Sequence, residues 1–477
     1  MAKPRKPSAL PFLLIFALAL LLRVIVIIEL RNVTLFRAPQ LDSLEYLEWA
    51  QQLAAGDFVW PNPPQHGPGY PLFLALILGI ANSLTFVRVV QSMLGALACV
   101  LVAKASARHF GRRAGIITGG ILAIYAPLVW IDTSILAESL LLFLLACILY
   151  FSDRPVVAGL LIGLATITRP TALVLLPLLL VMHRKRALPI ALVTLLPIVP
   201  VTFVNYRTTG HFIPVQAYGG MNVYLGNSPH GNGLASARLG GTWDALQHEQ
   251  DFLGKTAREI KDAPLAYLAL LAKKTLWLVQ NDEVRDSHSF YFFASQSFVL
   301  RCLPTFAILF ALAAVGFLQA DRRPWFLVAW LIAFALTCIF LVVGARYRMP
   351  MIPVLAMFAG AVQVPQKRRD AIAVAVIAAV AIAITFVRRH DESHRFAEEY
   401  SLSGLSLIHE RKLEAAESAY RSAIEIDPRS ALAWDGLGIV AFNRGNFIEA
   451  EEYFRHALAI NPEYEAAQRH LRMANDQ

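Results

Sequence analysis

Charged residues are scarce in this chain. Asp, Glu, Lys and Arg make up 16% of the 477 residues, whereas hydrophobic residues make up 57%. A soluble domain averages about 25% charged and about 45–50% apolar residues. The apolar excess falls in long runs that no soluble core requires. The composition therefore excludes a wholly soluble protein and predicts a membrane protein with many helical spans.

Cysteine is also scarce. Four are present, and each lies inside an apolar run: Cys99, Cys147, Cys302 and Cys338. We predict that these cysteines act as small apolar residues that face lipid or a neighbouring helix, so no disulfide framework is predicted. No group of ligand residues has metal-binding spacing, so the sequence specifies no cofactor and leaves the need for a divalent cation open.

The net charge of +9 does not come from a basic patch on a soluble domain. The basic residues form short groups between apolar runs, at 104–113, 154, 184–186, 322–323 and 367–369. This distribution argues against a nucleic-acid partner. By the positive-inside rule it places these loops, and the basic N-terminus at 3–6, in the cytoplasm.

The apolar runs predict an all-α, polytopic membrane protein with about eleven transmembrane helices. The predicted spans lie near 8–28, 85–105, 114–131, 136–151, 155–168, 170–182, 187–204, 298–319, 324–343, 350–363 and 371–387. The stretch 70–81 has only about a dozen apolar residues, so we predict a re-entrant helix.

This topology leaves the segments at about 29–84 and 205–297 outside the cytoplasm, together with the C-terminal tail. The stretch 264–280 carries a tryptophan beside paired lysines, which suits a helix at the lipid headgroups. A twelfth span there is the alternative, and it would place the tail inside.

The tail changes to a charged, alanine-rich composition. Asp427-Pro428 recurs as Asn461-Pro462, an offset of 34 residues that is typical of tetratricopeptide (TPR) repeats. We therefore predict a membrane domain over 1–390 and a soluble TPR domain over 391–477, with repeats at about 396–429 and 430–463 and a capping helix. A docking or stabilising platform without chemistry is the expected role of this domain.

Polar residues near the predicted outer face are the candidates for chemistry. Asp42, Glu45 and Trp49 share one helical face by their i, i+3, i+7 spacing. Asp42 with Ser43 also fits an N-cap followed by an acid at the third position, a capping-box variant. Arg169 and Arg346 lie at the outer interface, against the charge trend. Such arginines need a counter-charge, and phosphate suits the guanidinium fork; lipid headgroups are the alternative.

In their order along the chain, these motifs resemble the GT-C glycosyltransferases, in the branch of protein O-mannosyltransferases and aminoarabinose transferases. The resemblance covers about residues 9–388. The residues that carry it are Asp42 with Tyr46 and Ala50, and the runs 67–72, 168–173, 205–210, 219–222, 226–229 and 346–350.

The resemblance implies inverting transfer of a sugar from a polyprenyl-phosphate donor to a protein, lipid or glycan acceptor, outside the inner membrane of a bacterium. It implies that Asp42 is the general base and that Glu138 is a further catalytic acid. Many relatives place a second acid directly after the aspartate, where this chain has Ser43, with Glu45 following later. The donor phosphate would be bound by Arg346, Arg348, Tyr347 and Arg169. The cavity or acceptor contacts would involve Tyr46, His66, Tyr70 and Asn227.

Two other classes compete with this interpretation. One is a polyprenyl-linked glycan ligase or polymerase, and the other is a transporter or scaffold that displays the TPR module. A transporter favours internal repeats between the halves of the membrane domain, which this sequence does not show. Arg23, inside the first span, needs a partner. The predicted partners are the donor, membrane lipids and a protein or glycan bound through the TPR module.

Overall fold

The computed structural model describes residues 8–228, 245–285, 287–386 and 393–476. The predicted domain boundary at 390, the basic residues at 3–6 and Pro229 lie outside these ranges. The regular elements in the described ranges are all helices. The first half contains α1 (Leu10–Leu30), α2 (Thr34–Arg37), α3 (Asp42–Ala54), α4 (Gly69–Ile80), α5 (Leu84–Phe110), α6 (Arg112–Ile124), α7 (Ala126–Thr133), α8 (Ala137–Tyr150), α9 (Pro155–Thr168), α10 (Leu175–Met182) and α11 (Ala187–Thr209).

The second half of the membrane domain is also helical. It contains α12 (Gly219–Asn227), α13 (Ala245–Asp262), α14 (Pro264–Val279), α15 (Phe290–Ser295), α16 (Phe298–Cys302), α17 (Phe306–Gln319), α18 (Trp325–Phe340), α19 (Ala345–Arg348), α20 (Ile352–Gly360) and α21 (Arg368–Thr385). Short 3-10 turns occupy Pro170–Val174, Arg184–Arg186 and Met349–Met351. The tail contains α22 (Ser393–His409), α23 (Leu413–Ile426), α24 (Ala431–Asn443), α25 (Phe447–Ile460) and α26 (Glu465–Asn475).

The connecting loops collect at two opposite ends of the helical bundle. At one end Arg112 donates to the Ser8 carbonyl oxygen at 2.8 Å, and Arg108 pairs with Asp153 at 3.3 Å. We call this end the basic side, since it carries the basic loops at 104–113, 154 and 184–186. The other end, which holds Asp42, is called the site side below.

Three described helices are long and apolar enough to cross a membrane: α1, α5 and the helix over 184–209. The pair α6 and α7, bent by 59°, would make a fourth. Shorter apolar helices of 10–17 residues are also present, one of them being α24 in the tail. The polytopic all-helical fold is confirmed. The number of about eleven spans stays a prediction.

Two predicted spans are interrupted. The stretch 114–131 breaks at Tyr125, and 298–319 breaks before α17. Pro127 and Pro304 lie at these breaks, and proline cannot supply the amide hydrogen that continues a helix. The two breaks meet, because the Ala126 amide donates to the Pro304 carbonyl oxygen at 3.0 Å. This bond supplies a partner for an amide that the bend would otherwise leave free.

The helices α4 and α14 stay on the site side. Gly69, at the start of α4, packs against Thr168 so closely that a Cβ would lie 2.6 Å from the threonine hydroxyl. After α4 ends, three residues lead directly into α5 on the same side. The Tyr267 hydroxyl of α14 donates to Asn227 at 3.5 Å, and Leu278 near its other end accepts from Arg348. Neither helix reaches the basic side.

Inside α1, Arg23 has the partner that the sequence requires. Its Nη2 lies 2.7 Å from Oδ2 of Asp132 in α7, and both side chains are fully buried. The guanidinium also donates to the Ala19 carbonyl oxygen at 2.9 Å. The ion pair fixes α1 against α7, because a charge in a span needs a partner within the bundle.

The tail forms stacked helical hairpins. Gly404 and Gly438, which are 34 residues apart, both lie where helices cross. The ring of Tyr420 in α23 packs on Gly404 and also on Gly436. The ring of Phe454 in α25 packs on Gly438 in the same way. Glycine is needed at these crossings because a Cβ would overlap the rings.

Candidate functional site

Asp42 and Arg346 are 304 residues apart in the chain but form a direct ion pair. Nη1 of Arg346 donates to Oδ2 of Asp42 at 2.6 Å, and the two side chains are 10% and 23% exposed respectively. The short helix α19, which carries Arg346, is held in place by a hydrogen bond from the Ala345 amide to the Val284 carbonyl oxygen. The predicted carboxylate and guanidinium thus share one place on the site side.

The Asp42 carboxylate is held in its ionised form. Burial alone would raise the pKa of Asp42. The charges of Arg346, His66 and Arg169 lower this pKa, as does the hydrogen bond from Arg346, and together they outweigh burial. The net effect holds the pKa of Asp42 well below its ordinary value. In this state the carboxylate is a weak base that is paired with a cation.

The predicted capping box at Asp42 is wrong. The N-cap of α3 is Leu41, whose side chain makes no capping bond, and Asp42 is the first helical residue. Its carboxylate is directed to Arg346 instead of the helix amides. Leu41 has a φ of 57°, which branched residues rarely adopt. Such strain is typical of segments that surrounding contacts hold in place.

Glu138 and Arg169, predicted separately, form a second ion pair. Nη2 of Arg169, just after α9, lies 2.6 Å from Oε1 of Glu138 at the start of α8. The side chains are 3% and 11% exposed for Glu138 and Arg169 respectively. Within the described part of the chain, Oε2 of Glu138 is buried without a hydrogen-bond partner. One oxygen of this carboxylate therefore holds Arg169, and the other can accept a further donor.

A cavity of about 550 Å³ lies beside both ion pairs. Its polar rim includes Glu138, Arg169, Arg346 and Tyr347. The remaining wall is largely apolar and comes from α8, α9, the 3-10 turn Pro170–Val174, α11, α12, α13 and α18; it includes Leu141, Leu173, Ile198, Val223, Leu253 and Phe334. Cationic groups at the rim of an apolar hollow suit an amphipathic, anionic ligand.

His66 and Glu45 lie on the other side of Asp42. Nε2 of His66 is 2.8 Å from Oε2 of Glu45, whose side chain is 49% exposed. The His66 ring packs 4.4 Å from the ring of Tyr46, centroid to centroid. Burial raises the pKa of the Tyr46 phenol, which keeps it neutral and unsuited to act as a base. Among the residues described, no group of three or more His, Cys, Asp or Glu could hold a metal ion.

Tyr46 and Tyr70 support the site without lining the cavity. Both are fully buried, and their rings meet edge to face at 5.0 Å. The Tyr70 hydroxyl donates to Gln91 of α5 at 2.8 Å. The predicted acceptor contacts of these two tyrosines are therefore not retained, because their side chains are covered by the packing of α3, α4 and α5.

Arg348 lies outside the cavity. It is 2% exposed, pairs with the buried Glu283 at 2.8 Å and lies 3.7 Å above the ring of Phe306. The predicted contact of Arg348 with a donor phosphate is not retained. Residues two apart on a helix point in different directions, so Arg346 and Arg348 cannot both face one cavity from α19.

Asn227 also has a structural place. Its amide donates to the Val223 and Phe340 carbonyl oxygens at 2.9 and 2.8 Å, which ties the end of α12 to the end of α18. The fully buried ammonium of Lys274 joins the same junction by donating to the Gly226 and Leu341 carbonyl oxygens, both at 2.9 Å. Asn227 therefore positions the cavity wall, although the sequence predicted it in the cavity.

Lys274 was missed as a site residue. The sequence predicts Lys273 and Lys274 together at the lipid headgroups, but the two lysines have different surroundings: the Lys273 ammonium lies 4.6 Å from the centre of the Trp277 ring, whereas Lys274 is fully buried. Burial lowers the pKa of Lys274 to about 8. Nothing in the spacing of two adjacent lysines distinguishes the buried one.

Comparison with known proteins identifies the repeats. Residues 400–430 and 431–464 match two families described as Tetratricopeptide repeat. The chain is 38% identical to Protein bimA of Emericella nidulans over 77 residues. This stretch covers 16% of this chain and 10% of that protein. The chain is also 33% identical over 60 residues to Cellulose synthase 1 operon protein C of Komagataeibacter xylinus. This second stretch covers 13% of this chain and 4% of that protein. The chain thus spans a tenth or less of these relatives.

Solved structures that are similar over most of this chain include the following two. ArnT from Cupriavidus metallidurans, bound to undecaprenyl phosphate, has a TM-score of 0.48 and 16% identity over 97% of this chain and 78% of that chain. The oligosaccharyltransferase AglB from Archaeoglobus fulgidus, in complex with an inhibitory peptide and a dolichol-phosphate, has a TM-score of 0.43 and 13% identity, covering 82% and 58%. Similarities of this size assign no reaction to the chain.

Proposed function

We propose that this chain is a membrane glycosyltransferase that moves a sugar from a polyprenyl-phosphate donor to an acceptor hydroxyl. One observation carries the proposal: Arg346, which is paired with Asp42, lines a largely apolar cavity together with Arg169. The two features suit the two halves of the donor, because an isoprenoid chain needs an apolar wall and its phosphate needs cations.

The donor phosphate would lie between Arg346 and Arg169. Guanidinium groups bind phosphate through paired hydrogen bonds, and both arginines line the cavity. The ion pair with Glu138 fixes the orientation of Arg169 before the donor arrives. Tyr347 adds a polar group at the same rim, and the lipid chain would leave along the apolar wall.

Arg346 has two partners in this mechanism. Without a donor it pairs with Asp42, and the carboxylate is a weak base. When a donor phosphate draws the guanidinium away, the pKa of Asp42 rises towards the value that a general base requires. Donor binding thereby activates the base.

The reaction itself is a substitution at the anomeric carbon. The acceptor O–H bond breaks and its proton passes to Asp42, while the oxygen forms a new bond to the anomeric carbon. The bond from that carbon to the phosphate oxygen breaks, and its electron pair leaves on the phosphate. Arg346 and Arg169 offset the charge that develops there. Attack opposite the leaving phosphate inverts the anomeric configuration, and Glu45 with His66 would orient the acceptor.

The membrane orientation belongs to the same proposal. The basic side would face the cytoplasm of a bacterial cell, so the site and the TPR tail would face outward from the inner membrane. The chain would divide into a membrane domain over 1–390 and a TPR domain over 391–477. The tail would bind a protein or glycan partner near the site.

The test compares purified variants with a panel of polyprenyl-phosphate sugars in lipid nanodiscs. Asp42→Asn should lower the rate of transfer by about 10²–10⁴-fold, the range for loss of a general base. Glu48→Gln, an exposed acid on the same helix, is the matched control and should leave the rate unchanged. Transfer by Asp42→Asn at the wild-type rate would show that the assigned base is wrong.

The phosphate site can be tested without knowing the sugar. Undecaprenyl phosphate should bind to wild type and to Asp42→Asn, and Arg346→Gln should lose most of this binding because half of the cationic rim is removed. Equal binding by Arg346→Gln would refute the role of Arg346.

Cysteine labelling of intact cells tests the orientation, in a background that carries Cys302→Ser. Ile448→Cys, at a position that is 79% exposed in the tail, should react with an impermeant maleimide before lysis. Lys185→Cys, on the basic side, should react only after lysis. The reverse pattern would invert the proposed topology.

A further inference from the structure

The first tail helix, α22, contacts the segment that delivers Asp42. This segment, residues 37–41, runs from the end of α2 to the start of α3. The Gln40 side chain donates to the Ser406 hydroxyl at 2.9 Å, and that hydroxyl lies 3.1 Å from the Ala38 carbonyl oxygen. At the start of the segment, the Arg37 guanidinium makes two hydrogen bonds to the Glu410 carboxylate, at 3.1 and 2.8 Å.

A buried charge network reinforces this contact. Glu399 of α22 is fully buried, and its Oε1 accepts from the Ser289 amide at 2.6 Å and lies 3.0 Å from Nε of Arg285. Its Oε2 lies 3.3 Å from Nδ1 of His288, whose Nε2 lies 3.2 Å from the Gln40 carbonyl oxygen. A continuous chain of polar contacts therefore runs from the tail to the residue two positions before Asp42.

The local backbone explains why such support is needed. Leu41, between Gln40 and Asp42, has a φ of 57°, a conformation that leucine does not keep by its own preference. Strained residues persist where surrounding contacts determine them. On one side of Leu41 lies α3, and on the other lie the contacts with α22 and His288.

We propose that α22 is a positioning element for Asp42: through Glu399, Ser406 and Glu410 it holds segment 37–41 in the conformation that places Asp42 on Arg346. The TPR tail is then part of the reaction centre as well as a docking platform. A partner that pulls or twists α22 changes the placement of the base. The link to catalysis rests on the proposed function, whereas the hold on segment 37–41 does not.

The experiment measures amide hydrogen exchange and sugar transfer on the full chain in nanodiscs. Glu399→Gln keeps the shape of the side chain but removes the charge that faces Arg285 and His288. Exchange in peptides covering residues 36–45 should speed up by at least about tenfold, because a buried charged network is broken. The matched control is Glu417→Gln, since Glu417 pairs with Arg444 inside the tail at 2.5 Å. This control should leave residues 36–45 unchanged.

A second pair of variants covers the case in which Glu399→Gln fails to fold. Glu410→Arg places two cations together at the exposed contact with Arg37 and should also speed up exchange in residues 36–45. Adding Arg37→Glu restores an opposite-charge pair and should reverse the effect. Absence of any change in Glu410→Arg, or of reversal in the double variant, would overturn the proposal.

The activity measurement separates positioning from general damage. Glu399→Gln should lower kcat by about tenfold, while KM for the donor stays within about twofold, because the cavity is not altered. Faster exchange in α22 alone, with residues 36–45 unchanged, would refute the coupling. If wild type transfers no sugar, the proposed function fails, and the exchange results still decide whether α22 holds the segment.

Discussion

The shared use of Arg346 predicts different pH dependences for kcat/KM and kcat. In the free protein, Arg346 and the other cations hold the pKa of Asp42 well below its ordinary value. The carboxylate then stays deprotonated as the pH falls, so protonation of Asp42 should not lower kcat/KM above about pH 4. With donor bound, Arg346 turns to the phosphate and the pKa of Asp42 rises. The acid limb of kcat should therefore lie at higher pH.

The expected pH difference between the acid limbs of kcat and kcat/KM follows from the geometry of the Arg346–Asp42 ion pair. Two unit charges about 4 Å apart attract by about 4 kcal/mol at an effective dielectric constant of about 20. The side chains of Arg346 and Asp42 keep 10% and 23% exposure. Screening by the remaining water reduces the attraction to about 2–3 kcal/mol. Since one pKa unit corresponds to about 1.36 kcal/mol, the limbs should be about two pH units apart.

The assay is steady-state transfer at fixed ionic strength from about pH 4 to pH 8, with the donor varied at each pH. Glu48→Gln should reproduce both limbs of the wild-type profile. Coincident acid limbs for kcat and kcat/KM would refute the exchange of Arg346 between Asp42 and the phosphate, even if both residues proved essential.

Three further predictions concern the supporting structure. Gly226→Ala should destabilise the fold by about 1–3 kcal/mol in thermal unfolding, because its Cβ would overlap the Leu341 carbonyl oxygen; Gly254→Ala, with open space around it, should not. Arg348→Gln should cost about 3–5 kcal/mol by leaving a buried carboxylate unpaired, yet leave undecaprenyl-phosphate binding intact in the folded fraction. Because the folded pKa of Lys274, about 8, is below its unfolded value of about 10.4, unfolding takes up protons between these values. Stability should then rise from pH 8 to 10 in wild type, and Lys274→Met should lose this rise.

Features set by local chemistry were predictable from the sequence. Long apolar runs and the grouping of basic residues predicted the helical bundle and its two ends. The period of 34 residues predicted the repeats, because each crossing of two helices in a repeat needs a small residue at the same position. Asp42 was singled out by its helical face and by the resemblance to GT-C glycosyltransferases, and Arg346 by its place at the outer interface, where a cation needs a counter-charge.

Features set by packing between distant segments were not predictable. Arg348 looked equivalent to Arg346 in sequence, but the turn of α19 directs it to Glu283. The break between α6 and α7 depends on a partner carbonyl that comes from Pro304. Glu399 looked like an ordinary tail residue, since burial of its carboxylate arises only when α22 docks on the membrane domain.

The ion pair inside α1 has a consequence for the assembly of the protein in the bilayer. Arg23 enters the membrane with α1, whereas Asp132 follows 109 residues later. A lone arginine at the centre of a span costs about 2.5–3.5 kcal/mol on insertion scales. Until α7 arrives, the first helix has reason to stay shallow or tilted so that the guanidinium reaches the headgroups. Its final depth is then reached only after α7 is in place, so the stable anchoring of α1 depends on a segment that is synthesised later.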